Sequence, residues 1–91
     1  MKILEKDLNE KIKIFKNKNV MVVFDDIFEA KFYMNNIHIH YNYNKGILHI
    51  KEETSNNELN LNLVFAYLID FTDNVLHIGL DNSIDFEMRI I

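Results

Sequence analysis

The chain has 91 residues, a length that predicts a single domain, residues 1–91, with one hydrophobic core. It has no cysteine and only two glycines, which excludes disulfides, thiolate metal sites and phosphate-binding glycine loops. The net charge is −4, and no apolar run reaches the length of a membrane helix. We therefore expect a cytoplasmic protein without a cofactor and without membrane contact.

The first predicted element is an amphipathic helix over about residues 3–17. Apolar residues recur here at helical spacing and share one stripe: Leu4, Leu8, Ile12 and Phe15. Acidic residues come early in the segment and lysines come late, an order that the helix dipole favours. Asn17 or Asn19 is the predicted C-cap. This order explains the basic N-terminal segment without an anionic partner; the alternative is a basic recognition helix or a helix that lies on a membrane surface.

From about residue 20 to residue 91, apolar and polar residues alternate, which predicts strands. Turns at 35–36, 45–46, 54–57, 73–74 and 81–83 would place apolar residues opposite apolar residues. We predict an α+β, mainly β fold: the helix, then a six- to seven-stranded antiparallel meander forming a strongly curved sheet or a small, partly open barrel. The apolar run 63–68 breaks the alternation and predicts a bend, a bulge or a short helical turn.

Three of the four histidines lie within residues 35–50. The predicted register places them on the solvent side of two hairpins, and the resulting surface contains Tyr33, His38, His40, His49 and Lys51. A zinc ion would need further ligands, and the neighbouring lysines would repel it, so we predict no metal site. Tyr41 and Tyr43 fall on the core side, which leaves few rings for stacking on nucleotide bases. A polar surface facing solvent or a partner is the preferred interpretation.

A second group of polar residues lies near the C-terminus. The register sets Asp70, His77 and Glu87 in one row across three strands. The candidate partner-binding residues in and around this row are Asp70, Asp73, His77, Asp81, Asp85 and Glu87. No nucleophile motif accompanies them, so we predict an exposed electrostatic ladder, no catalytic residues and no enzymatic activity.

Residues 19–91 carry eleven acidic residues against four basic ones, which disfavours binding to a phosphate backbone. The abundant Lys, Asn and Ile suggest an A/T-rich genome. We expect a small accessory or inhibitory protein, encoded by a phage or mobile element, that binds a basic surface of a larger host protein through an acidic sheet face. The alternatives are a nucleic-acid-binding small β-barrel and a homo-oligomeric structural subunit.

The last predicted strand, "SIDFEMRII", runs to the C-terminus at the edge of the meander. An uncovered edge strand offers unpaired backbone groups to a second chain. The sequence therefore predicts a homodimer formed through this strand.

Overall fold

The computed structural model describes residues 5–26, 28–80 and 84–91, and the first element in these ranges is a short helical segment. The segment consists of a 3-10 turn at Glu5–Asp7, one turn of α-helix (α1) at Leu8–Lys11 and a second 3-10 turn at Ile12–Phe15. Such a short segment depends on packing rather than on helix propensity.

The apolar stripe of this segment is confirmed for the residues that the structure describes. Leu8, Ile12 and Phe15 are buried, whereas Leu4 lies outside the described residues. Asn17 has a φ of 61° and turns the chain out of the helical conformation. The helical segment therefore ends at Phe15 rather than at residue 17, and most of its described part is 3-10 rather than α.

Eight antiparallel strands follow in two sheets. Their bounds are β1 Val20–Asp25, β2 Glu29–Met34, β3 Ile37–Asn42, β4 Ile47–Glu52, β5 Glu58–Asn62, β6 Leu68–Thr72, β7 Val75–Gly79 and β8 Asp85–Ile90. Sheet A has the strand order β2-β1-β8-β7-β6, and sheet B has the order β3-β4-β5. The mainly β character is confirmed. The strand count is higher than predicted, and the two sheets do not form a closed barrel.

The predicted hairpin at residues 35–36 is wrong. β2 pairs with β1 and β3 pairs with β4, so the chain crosses from sheet A to sheet B at this turn. β1 also pairs with β8, where Val22 lies opposite Met88. Turn chemistry describes only neighbouring strands, so it could not reveal this pairing between the two ends of the chain. Because β8 lies between β1 and β7, the premise that the last strand is a sheet edge is also wrong.

The predicted register is confirmed in the C-terminal hairpins. Asp73 and Asn74 have φ values of 55° and 62°, which fits a two-residue hairpin turn. Ile78 lies opposite Ile69 on one side and opposite Phe86 on the other, as predicted. The predicted turn at 81–83 lies outside the described residues.

The register of sheet B differs from the prediction by two residues. Leu48 lies opposite Tyr41 and Leu61, rather than opposite Tyr43 and Leu63. The β3–β4 connection uses residues 43–46 instead of a two-residue turn, which accounts for the first shift. The β4–β5 turn is closed by the Glu52 N–H, which donates to the Asn57 carbonyl, and this turn accounts for the second shift. A shift of two residues keeps each side chain on its predicted face of the sheet.

The core is one cluster of buried side chains from the helical segment and both sheets. It includes Phe15, Val22, Tyr41, Ile50, Leu76 and Phe86. Burial of these apolar side chains is the main favourable contribution to folding. The two outer sheet faces remain for polar residues.

Glu52 joins the two sheets at one end of the core. The residue is only 8% exposed, and its carboxylate accepts hydrogen bonds from the backbone N–H of Asn35 at 2.7 Å, from Ser55 Oγ at 2.8 Å and from Asn57 Nδ2 at 2.7 Å. These bonds lower the pKa of Glu52; the largest effect comes from Asn35, followed by Asn57 and Ser55. Alternation in β4 places Glu52 on the same face as the buried Leu48 and Ile50, and the sequence pattern alone does not reveal this role.

Candidate functional site

The outer face of sheet A carries the predicted C-terminal row. Asp70 lies opposite His77, and His77 lies opposite Glu87, as predicted from the turns. The row continues through Val23 of β1 to Lys31 of β2. The structure thus extends a three-residue ladder into a row that crosses the whole sheet.

A neighbouring row is the most acidic feature of this face, and we call it the acidic row. Asp25 of β1 lies opposite Glu29 on one side and opposite Asp85 on the other. Only Asp85 was a candidate before the structure, because Asp25 and Glu29 meet it through the β1–β8 pairing. Charged residues alternate with apolar ones in β2 and β8, which indicated that these residues lie on an outer sheet face. The turns could not predict that both strands pair with β1.

The three carboxylates of the acidic row have unequal partners. Lys31 Nζ lies 3.3 Å from Glu29 Oε1. Asp85 Oδ1 accepts a hydrogen bond from the Tyr67 hydroxyl at 3.1 Å, and it lies 4.0 Å from His77 Nε2. Within the described residues, no ion pair or side-chain hydrogen bond is made by Asp25. Among the described residues, the charge of this central carboxylate is therefore not compensated by a close cation.

Tyr67 connects the acidic row to an exposed aromatic loop. Its ring lies across Gly79, where an added Cβ would be only 2.4 Å from Tyr67 Cζ. The hydrogen bond to Asp85 raises the pKa of the Tyr67 hydroxyl, with smaller effects of burial and of the Asp85 charge. The ring remains 59% exposed, so it is available for contact beside the acidic row.

The loop that contains Tyr67 is the apolar run 63–68, for which the sequence left three conformations open. Ala66 N–H donates to the Leu63 carbonyl at 3.1 Å, so the segment makes a tight turn between β5 and β6. Leu63 is buried, whereas Val64 and Phe65 are exposed. Hydrophobicity here therefore does not indicate a strand of the core.

The remaining predicted acidic residues do not join the acidic row. Asp73 is exposed in the β6–β7 turn. Asp85 lies opposite Gly79, which is at the other end of that hairpin. Asp81 lies outside the described residues. Glu87 contacts Arg89 on its own strand, which compensates part of its charge. The structure thus brings together only part of the predicted set.

The histidines form a different surface, the outer face of sheet B. His40 lies directly opposite His49, and His38 lies opposite Lys51. A groove of about 310 Å³ runs beside the three histidines and is also lined by Lys16. His49 Nε2 is 2.8 Å from Glu58 Oε2, and His38 Nε2 is 3.8 Å from Glu53 Oε1. His38 and His49 therefore each lie beside a carboxylate.

Two tyrosines lie elsewhere than predicted. Tyr33 was expected beside His38, but it belongs to sheet A, where it lies opposite Met21. Tyr43 was expected in the core, but it lies in the β3–β4 turn and is 60% exposed. The pairing error at residues 35–36 explains the first difference, and the longer β3–β4 turn explains the second.

No metal site is evident on either face within the described residues, which contain no group of three His, Asp or Glu side chains suited to one ion.

Comparisons with protein-family models, with curated proteins and with solved structures found no match to this chain. Over the described ranges, the chain forms no helix long and apolar enough to cross a membrane.

Proposed function

We propose that this chain is a small, non-enzymatic accessory or inhibitory protein that binds a larger host protein. The outer face of sheet A would bind a basic surface of that partner. A phage or mobile element as the source and the cytoplasm as the setting belong to the same proposal, and both rest on the sequence.

The acidic row is the observation that best supports this function. Glu29, Asp25 and Asp85 are directly opposed on neighbouring strands. Like charges in directly opposed positions destabilise an antiparallel sheet. A basic partner would relieve this repulsion on binding, so the row costs stability in the free chain and favours the complex. Local conflicts of this kind are expected at functional sites.

The geometry suggests how the face would work. Adjacent carboxylates of one sign create a negative potential that accelerates encounter with a cationic surface and orients it. Tyr67 lies beside Asp85 and would add apolar contact area, which charged groups alone do not supply. In an inhibitor, the same face would occupy a basic groove that the host protein otherwise offers to nucleic acid.

The test begins with the partner itself. Affinity capture from the host would identify the partner, and its association rate with the purified chain would be measured at two salt concentrations. The double variant D25K/D85K should slow association by about tenfold or more at low salt, because it reverses the local potential.

The matched control is E53K/E58K, which makes the same change in net charge on sheet B. It should leave the association rate close to that of the unchanged chain. Equal effects of the two double variants would contradict the proposal, because the response would then follow net charge instead of the acidic row.

Nucleic-acid binding by sheet B is the second candidate function. The groove beside the histidines is lined by Lys16 and lies near Lys51, and both lysines could contact phosphates. Titration of labelled single-stranded RNA and DNA at two salt concentrations tests this candidate. Salt-sensitive binding that is lost in K16E/K51E would favour it over the acidic-row proposal.

A further inference from the structure

Strand β2 is an open edge of sheet A. Asp26 N–H donates to the Phe28 carbonyl, so the even-numbered residues of β2 direct their backbone groups towards β1. The odd-numbered residues Glu29, Lys31 and Tyr33 then direct their N–H and C=O groups away from the sheet. The N–H of Asn35 supports this assignment, because it points outward to the Glu52 carboxylate.

The edge of β3, in contrast, is covered. The side-chain amide of Asn9 donates to the Tyr41 carbonyl at 2.7 Å and accepts from the Tyr41 N–H at 2.9 Å. Ile37 accepts from Asn17 N–H and donates to the Lys18 carbonyl. The helical segment and the residues after it thus protect this edge from pairing with another chain.

The apolar side of β2 is also incompletely covered. Phe28 is 82% exposed. Ala30 is also exposed, although it lies on the same face of β2 as the buried Met34. Phe32 is half-buried and stacks on Phe24 with ring centroids 5.9 Å apart. An open backbone edge and exposed apolar side chains therefore occur on the same strand.

We propose that β2 pairs antiparallel with β2 of a second copy of this chain, with Glu29 opposite the partner subunit's Lys31. By symmetry, Lys31 lies opposite the partner subunit's Glu29, so the two-fold axis passes beside Ala30. The two A sheets then form one continuous sheet. This inference does not rest on the proposed function, although Glu29 belongs both to the acidic row and to this interface.

Charge and hydrogen bonding select this register. Within the described residues, β2 pairs only with β1, and its odd-numbered residues direct their backbone groups away from β1. The register must therefore pair odd residues with odd residues. A shift of the partner strand by two residues in one direction sets Glu29 opposite the partner subunit's Glu29. A shift in the other direction sets Lys31 opposite the partner subunit's Lys31. Both arrangements are repulsive. A further step would require the N–H of Asn35, which already donates to Glu52.

The same register covers the apolar side of the strand. Phe28 lies opposite the partner subunit's Phe32, and Ala30 lies opposite the partner subunit's Ala30. These are the closely spaced pairs of an antiparallel ladder, so a small residue at the axis permits close approach. Aromatic pairs across strands are among the favourable contacts in sheets.

A charge-swap experiment tests the interface and its register. Sedimentation equilibrium or light scattering should give twice the 10.9 kDa chain mass for the unchanged chain at high micromolar concentration. K31E and E29K should each raise the dimer dissociation constant by about tenfold, because both symmetric pairs become repulsive. The double variant E29K/K31E should restore dimerisation. F28S should also weaken the dimer without unfolding the chain, since Phe28 is exposed.

The matched control is K45E, the same charge change in the exposed β3–β4 turn, which should leave the dimer intact. Circular dichroism and thermal melting would show that every variant is folded. A monomeric mass for the unchanged chain would overturn the proposal. So would a dimer that K31E does not weaken, or a double variant that does not recover.

Discussion

The carboxylate of Glu52 and the three carboxylates of the acidic row differ in how many hydrogen-bond donors surround them. Glu52, at the joint between the sheets, is nearly buried and accepts three hydrogen bonds from residues of two turns. Glu29, Asp25 and Asp85, on the outer face of sheet A, lie side by side, and the central one makes no ion pair within the described residues. Glu52 therefore has three donors, whereas Glu29 and Asp85 each have one close partner, Lys31 and Tyr67, and Asp25 has none within the described residues.

The difference shows which negative charges hold the fold together. A buried carboxylate is tolerated only when its oxygens are satisfied, and Glu52 meets that condition. Exposed carboxylates set side by side add repulsion and no packing. Substitutions that remove charge should therefore have opposite effects on stability at the two places.

The largest expected effect is at Glu52. In E52Q, the side-chain NH2 would face hydrogen-bond donors such as Asn35 N–H or Asn57 Nδ2, so at least one donor loses its acceptor. We expect the midpoint of thermal unfolding to fall by roughly 10 °C, measured by circular dichroism at neutral pH. An unchanged midpoint would mean that the carboxylate does not hold the two sheets together.

The same variant should change the response to acid. Because the pKa of Glu52 is lowered in the folded chain, its stabilising effect is complete above the ordinary glutamate value of 4.5 and is lost as the pH falls through the lowered pKa. E52Q should therefore lose less stability than the unchanged chain between pH 5 and pH 3. Parallel acid profiles for the two chains would contradict this assignment.

A smaller effect of opposite sign is expected in the acidic row. D25N removes repulsion with Glu29 and Asp85 and keeps the side-chain shape, so it should raise the free energy of unfolding by about 0.5 kcal/mol. K51Q is the matched control on sheet B, where Lys51 lies opposite His38 and Glu58. It should lower the free energy of unfolding by a few tenths of a kcal/mol. Urea denaturation would measure both changes, and destabilisation by D25N would remove the main support for a functional row.

Prediction from the sequence succeeded where contacts are local. The turn at Asp73-Asn74 demands two residues with positive φ, and it fixed the pairing of Asp70 with His77. The next pairing, His77 with Glu87, was predicted from a three-residue turn at 81–83. Short hairpins couple turn chemistry to register, which is why this part of the candidate site was correct.

Prediction failed where a contact joins distant parts of the chain. The β1–β8 pairing adds Asp25 and Glu29 to Asp85, and no turn encodes it. The turn at Asn35-Asn36 has the composition of a hairpin turn, yet the strands on either side of it, β2 and β3, belong to different sheets. Because every strand alternates in the same way, alternation alone cannot specify which strands are neighbours.

The smallest expected effect concerns Asp85, the member of the acidic row that accepts a hydrogen bond from Tyr67. Because that bond raises the pKa of Tyr67, D85A should return the pKa towards the ordinary value of 10.0. Ultraviolet titration would measure the change, with Y67F identifying the contribution of Tyr67 among the four tyrosines.

The stabilising effect of this bond should be complete below pH 10 and should disappear as the pH rises through the raised pKa, because the ionised phenolate cannot donate. D25A is the control, since Asp25 does not contact the Tyr67 hydroxyl, and it should leave the titration unchanged. An equal shift in D25A and D85A would mean that Tyr67 senses the charge of the whole row rather than one hydrogen bond. Asp85 would then resemble Asp25, and these two carboxylates of the row would be equally open to a partner.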